Sequence, residues 1–315
     1  MGHTRDVSLA EARALIRKAI DKAEQLGLRG GIAVVGGSGA LVSASRMDRG
    51  GAGGMARARS KAWISGTQQI PSAEHLKRMN FVSAPVEKGF VGASPEAVFP
   101  GAGGMPIYDG AEIVGGIAAS GATVSPFFPA GVDRQNMIAG GQPANPEDLL
   151  IHYALGLPYV GQHGDDMARW ISIFGSWEDE GEGLGMAPAP RSSAQSELDW
   201  AVGLSDAVMA EAASRGVLVS LAVVDHRGDP IQQDSMDGAP TAATFVATAL
   251  AATAATFQLP SEQVDPALAR VLPFATLMTP GGVPLRKGGA VVGALGIAGV
   301  SPEVAAQIAT AVLAS

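Results

Sequence analysis

The chain contains no cysteine. Disulfides, thiolate nucleophiles, iron–sulfur clusters and cysteine-based zinc sites are therefore excluded together. No run of 18 apolar residues occurs, so no transmembrane helix is expected. Basic residues form no cluster, and 30 acidic residues outnumber 22 basic ones to give a net charge of −8. Phosphate neutralisation needs clustered Lys and Arg, so no nucleic-acid partner is expected. Nothing apolar follows the charges of Met1-Gly2-His3-Thr4-Arg5-Asp6, which argues against a signal peptide and for a cytoplasmic protein without a membrane partner. What is plentiful points to a folded chain. Hydrophobic residues make up 47%, too many for disorder. The 42 glycines predict tight turns and close backbone approaches, and 315 residues suit two domains of about 150 each.

The two domains are copies. Ile32-Ala33-Val34-Val35, Gly39 and Met47-Asp48 recur as Leu221-Ala222-Val223-Val224, Gly228 and Met236-Asp237, at a constant offset of 189. Gly103-Gly104-Met105-Pro106-Ile107, Ile113-Val114-Gly115 and Gly121 recur as Gly281-Gly282-Val283-Pro284-Leu285, Val291-Val292-Gly293 and Gly299, at an offset of 178. This order predicts copy one over 1–125, a helical insertion or linker over 126–193 and copy two over 194–315.

Each copy opens with a helix. Ser8 and Glu11 form a capping box, apolar residues follow at helical spacing, and Gly27 is a C-terminal stop; Ser196, Asp199 and Gly216 repeat the plan. Strands are expected at 31–36 and 40–46 around the Gly37-Ser38-Gly39 turn, and a hairpin at Asp109-Gly110. Long helices are expected near 54–68 and 241–257, shorter ones from Ser72 and Ser261, and a closing helix from Ser301-Pro302-Glu303. Copy one lacks that closing helix directly after Gly121. The insertion offers two candidates for its place, capped by Asn145-Pro146-Glu147-Asp148 and by Gly164-Asp165-Asp166.

In Leu9-Ala10-Glu11-Ala12, Ile32–Val35, Arg46-Met47-Asp48, Lys61-Ala62, Gly103–Ile107 and Ser120-Gly121-Ala122, taken in order, the repeat resembles the GlcG/HbpS family, which includes the C-terminal domain of PduO-type proteins. The resemblance implies an α/β (α+β) fold made of two profilin-like domains, each a five-stranded antiparallel sheet with flanking helices. It also implies oligomers built from dimers. A tandem chain is then expected to form that pair within itself, as an internal pseudo-dimer, and to assemble further as a homo-oligomer. Some family members bind haem.

The copies differ in charge. Arg46, Arg57, Arg59 and Lys61 correspond to Ser235, Val246, Thr248 and Leu250. Arg57 and Lys61 share a helix face, being four residues apart. With Arg46, Asp48 and a backbone nest at Gly103 and Gly104 they are the expected ligand-binding set for an anionic, carboxylate-bearing small molecule. The alternative is a solvated helix face and a tight loop. His152 and His163 are candidate ligands for a divalent metal, and His163, Asp165 and Asp166 candidate catalytic acid/base groups; helix capping is the alternative for the two aspartates. His75 is expected at the surface and His226 in a turn. The cofactor is unknown, with haem or a divalent metal as candidates; no histidine stands on the opening helix of copy one to supply an axial ligand. No nucleophile elbow, dinucleotide fingerprint or His-Glu-x-x-His motif occurs. The leading expectation is a small-ligand-binding protein that holds haem or another carboxylate in copy one or between the copies. The second is a cofactor-poor enzyme of carboxylate or aromatic catabolism, using acid/base or metal groups from residues 145–180.

Overall fold

A computed structural model describes residues 5–79, 82, 84–94, 97–122, 138–139, 142–143, 145–162, 196–271 and 276–314. The chain divides into two compact units. Unit 1 holds residues 1–40 and 49–193, and unit 2 holds residues 41–48 and 194–315. Among the described residues no helix is long and apolar enough to cross a membrane.

Unit 1 begins with α1, Leu9–Gln25, whose capping box forms as expected: Ser8 Oγ accepts from the Glu11 amide, and Glu11 accepts from the Ser8 amide at 2.9 Å. Arg5 binds the same carboxylate and, with Ser8, pulls its pKa down to about 2. Leu9, Ala12, Ile16, Ala19, Ile20 and Ala23 form the buried stripe, and Gly27 ends the helix at φ 71°. Strand β1 is Gly31–Gly36, and β2, Leu41–Arg46, belongs to unit 2. Helices α2, Ala52–Thr67, α3, Ser72–Met79, and α4, Ala84–Ala93, lead to the hairpin of β3, Gly104–Asp109, and β4, Glu112–Ser120. The central strand β4 pairs antiparallel with β1 and β3. Helix α2 lies on this sheet so closely that a Cβ on Gly116 would overlap the Ala62 carbonyl. A two-residue ladder, β5 (Ile138–Ala139) with β6 (Gln142–Pro143), precedes α5, Pro146–Leu155.

Unit 2 follows the same plan with α6, Glu197–Ser214, β7, Ser220–Asp225, β8, Pro230–Ser235, α7, Ala243–Phe257, β9, Gly282–Lys287, β10, Ala290–Ala298, and α8, Pro302–Ala314. Its antiparallel strands run in the order β2-β8-β7-β10-β9. Alanines of α7 pack on Ala222, Val224, Ala294 and Ala298, and small side chains let helix and sheet approach closely. In the β2–β8 ladder Ser43 faces Asp234 and Ser45 faces Gln232. Ser43 corresponds to Gln232 in the repeat and Ser45 to Asp234, so the two pairs are equivalent and the ladder has a local two-fold through Ala44 and Gln233. This is isologous pairing between corresponding strands of the two copies. Ser43 and Ser205 both donate to the Asp234 carboxylate at 2.7 Å, and Ser45 donates to Gln232 at 2.6 Å, so the buried polar groups of the ladder are paired.

Several expectations need correction. Each copy supplies four long strands among the described residues, not five; the fifth strand of the unit 2 sheet is β2 from copy one. The backbone between the long helix and the glycine loop folds as α3 and α4 in copy one, and as two 3₁₀ turns, Ser261–Gln263 and Pro266–Val271, in copy two. The helix expected from Ser261 is only the first of those turns, because Pro266 cannot continue it. Helix α4 is an addition to the expected elements. The insertion does supply copy one with a further helix: α5 packs on α1 and β4, as α8 packs on α6 and β10. The second expected insertion helix, from Gly164, lies outside the described residues.

His75 is buried rather than at the surface, with its ring centroid 4.6 Å from that of Phe90, so it ties α3 to α4. Burial, with Arg78 nearby, pushes its pKa below the usual 6.5. A depressed histidine favours the fold above the unfolded value, and that contribution is lost as pH falls through the folded one. Between about pH 7.5 and pH 5.5 the wild type should therefore lose more stability in urea denaturation than His75→Phe. Equal losses would show that His75 is not an acid-sensitive group.

Candidate functional site

Helix α2 presents Arg57 and Lys61 on one face, four residues apart as the sequence spacing requires. Lys61 is 2% exposed, and a lysine is seldom buried unless it is paired. Its partner is Glu147, 6% exposed, on the first turn of α5; the two form a close ion pair. The Lys61 ammonium also donates to the Ala119 carbonyl at 3.3 Å and lies 5.5 Å from the centre of the Phe99 ring. The other oxygen of Glu147 accepts from the Gly121 amide at 2.8 Å. The pair therefore ties α2, the end of β4 and α5 to one point.

The glycine loop is shaped around that pair. Gly103 has φ 103°, and a Cβ there would press on Glu147 and on the Ala119 carbonyl. A Cβ on Gly101 would stand 3.2 Å from the Lys61 side chain. The amides of this loop are taken by the chain's own groups: Gly103 N–H donates to Asp148 at 2.7 Å and Gly104 N–H to Ser72 Oγ at 3.0 Å. Ser72 Oγ in turn donates to the Gly101 carbonyl at 2.5 Å. The backbone nest expected at Gly103 and Gly104 is thus filled, and its second half recurs in copy two, where Ser261 joins Gly282 and Thr279 in the same way. Gln162 completes the copy-one set, accepting from the Ala73 amide and donating to Asp148 and the Gly104 carbonyl.

Arg57 stands nearer the surface. Its Nε lies 3.4 Å from Ser120 Oγ, and its guanidinium lies 6.0 Å from the centre of the Phe99 ring, which is 45% exposed. Phe99, Arg57 and the exposed residues Gly51, Ala52 and Gly53 at the start of α2 form the open side of this site. An anionic group arriving there meets a guanidinium and helix-start amides that no side chain caps.

Arg46 and Asp48 are placed elsewhere. They belong to unit 2, where Arg46 pairs with Asp225 at 2.7 Å and donates to the Pro230 carbonyl at 2.8 Å, bracing the β7–β8 turn. Asp48 accepts from the Leu198 amide at 3.0 Å at the start of α6. Neither unit gathers all the expected ligand-binding residues. His226 occupies the β7–β8 turn as expected. His152 is buried on α5, with Nδ1 2.8 Å from the Asp148 carbonyl oxygen and its ring edge-on to Tyr159. No metal-competent group of three His, Asp or Glu side chains occurs among the described residues. His163, Asp165 and Asp166 lie outside the described residues.

The residues that sequence reasoning did not place in the site are Glu147, Asp148, Gln162 and Phe99. One signal was available: Asn145-Pro146-Glu147 repeats the helix-start pattern Ser301-Pro302-Glu303, although the residue that stands against the copy-two glycine loop is Ala305, two positions further on. Glu303, however, is exposed.

Two α/β repeats, each with a long helix across an antiparallel sheet and a glycine loop at its edge, define a duplicated small α/β domain. The chain belongs to the family described as haem degrading protein HbpS-like, which matches residues 7–125 and 197–314. Solved structures similar to it include HbpS, at 31% identity over 37% of this chain and 86% of that one, with a TM-score of 0.35. A double mutant of HbpS from Streptomyces reticuli matches at 30% identity over 42% of this chain and 97% of that one, with a TM-score of 0.36. PduOC in complex with heme matches at 27% identity over 35% of this chain and 87% of that one, with a TM-score of 0.33. No curated protein matches the chain.

Removing one member of a buried ion pair leaves the other charge stranded, at a cost of about 3–5 kcal/mol. Lys61→Leu and Glu147→Ala should each destabilise by roughly that much, whereas the double variant should recover most of the loss. Urea denaturation of the four proteins measures this coupling, and additive losses would contradict it.

Proposed function

We propose that this protein binds a carboxylate-bearing small molecule in copy one, at the open side of the Lys61–Glu147 pair, where Arg57 and the start of α2 receive the carboxylate. The observation that carries this reading is the burial of Lys61 against Glu147 beneath a glycine loop. A buried ion pair contributes little net stability, and an apolar pair fills the same volume as well or better. Copy two makes that replacement with Leu250 and folds on the same plan. Charge kept at a loop-lined site in one copy only is therefore read as serving recognition.

Haem meets part of this chemistry. Its propionates suit Arg57 and the amides of α2. Haem is accordingly proposed as a ligand through its carboxylates, and no axial ligand is assigned.

A second reading has its own support. Helix α5 brings Glu147, Asp148 and His152 into one buried neighbourhood with Lys61, and an ammonium–carboxylate pair can pass a proton to a bound substrate. On that reading the insertion helix makes the site an acid/base catalyst of small-carboxylate chemistry.

Titration of the purified protein with hemin, followed in the Soret band, tests the first reading. A saturable shift is expected. Loss of one charge-assisted hydrogen bond is worth about 1.5–3 kcal/mol, so Arg57→Leu should weaken binding roughly tenfold to a hundredfold. No saturable shift rules out haem, and an unchanged affinity in Arg57→Leu rules out the copy-one site.

A further inference from the structure

Unit 2 contains a cavity of about 300 Å³ between the start of α7, the β9 loop, the end of β10 and the start of α8. Its position in the repeat is informative. Val246 and Leu250 on its wall correspond to Arg57 and Lys61. Ala305 stands against Gly281 as Glu147 stands against Gly103. Ile297 and Gly299 correspond to Ala119 and Gly121, which hold the ammonium and the carboxylate in copy one. The cavity is therefore the counterpart of the copy-one charged site: Arg57 and Lys61 are replaced by Val246 and Leu250, and Ala305 takes the place against the glycine loop that Glu147 holds in copy one, while Glu303 at the head of that helix stays exposed.

The replacements decide what can enter. Among the lining side chains only the Thr279 hydroxyl is polar, and none is charged. A carboxylate placed in this open-sided pocket would shed part of its hydration against apolar walls and meet no cation in return. An uncharged apolar molecule loses only its contact with water and gains packing against Pro, Ala, Val, Leu and Ile. The volume falls at the small end of known ligand pockets, about 300–1,000 Å³, and suits a single or fused aromatic ring rather than a macrocycle. Val246, 37% exposed, stands at the rim.

We propose that copy two is a second binding site, for a small uncharged aromatic molecule. The duplication would then have yielded two sites of opposite chemistry from one design, charged in copy one and apolar in copy two.

Indole is the probe, with indole-3-acetate as its charged analogue. Calorimetric titration of the full chain should show saturable binding of indole, and indole-3-acetate should not compete for that site. Val246→Trp places a large side chain at the rim without disturbing the core. It should weaken indole binding by about tenfold or more while thermal unfolding stays at or above the wild-type temperature. Arg57→Leu should leave indole binding unchanged, which separates this site from the copy-one site. Absence of saturable indole binding, competition by indole-3-acetate, or full binding by a folded Val246→Trp protein would each overturn the proposal.

Discussion

The buried pair of Lys61 and Glu147 joins three separate elements of unit 1. A lysine taken out of water demands a counter-charge and further donors and acceptors, and each of these comes from a different part of the chain. The carboxylate comes from α5, a carbonyl from Ala119 near the end of β4, and the amide that holds the second carboxylate oxygen from Gly121. Meeting these demands brings α2, β4 and α5 together at one point. It also explains the glycines at 101 and 103, where any side chain would stand in the space of Lys61 or Glu147.

Copy two shows which parts of this arrangement belong to the scaffold. The serine clamp on the glycine loop is kept, with Ser261 in the place of Ser72. The left-handed glycines before and after the hairpin are kept as well, at 281 and 299. The charges are not. A scaffold that folds on the same plan with leucine and alanine at this point, leaving an apolar cavity there, does not need an ion pair to fold. Arg46 differs: it too lacks a charged counterpart, yet its charge is spent on Asp225 at the β7–β8 turn.

Local features were legible in the sequence, and long-range partners were not. The capping box at Ser8, the N-cap at Ser196, the stops at Gly27 and Gly216, and the hairpin at Asp109-Gly110 depend on residues a few positions apart, and each formed where the pattern put it. The family and the duplication were legible for a related reason, since two ordered blocks at fixed offsets carry fold information without any contact being known. Lys61 and Arg57 were singled out by their loss in copy two, but Glu147 lies 86 residues away and reads as a helix cap. His75 sits among Glu74, Lys77 and Arg78 and reads as surface; the unforeseen α4 brings Phe90 against its ring. The membership of β2 in unit 2 is invisible to pattern for a similar cause, because an alternating strand does not announce which edge it pairs with.

The central claim is that one scaffold carries a charged site in copy one and its uncharged counterpart in copy two. The most direct measurement is the binding stoichiometry of a protein in which copy one is given the copy-two side chains, by Arg57→Val, Lys61→Leu and Glu147→Ala together. The triple variant should fold, show no saturable Soret shift with hemin, and take up two equivalents of indole instead of one. A folded triple variant that still gives the saturable Soret shift, or that binds no more indole than the parent, would contradict the claim.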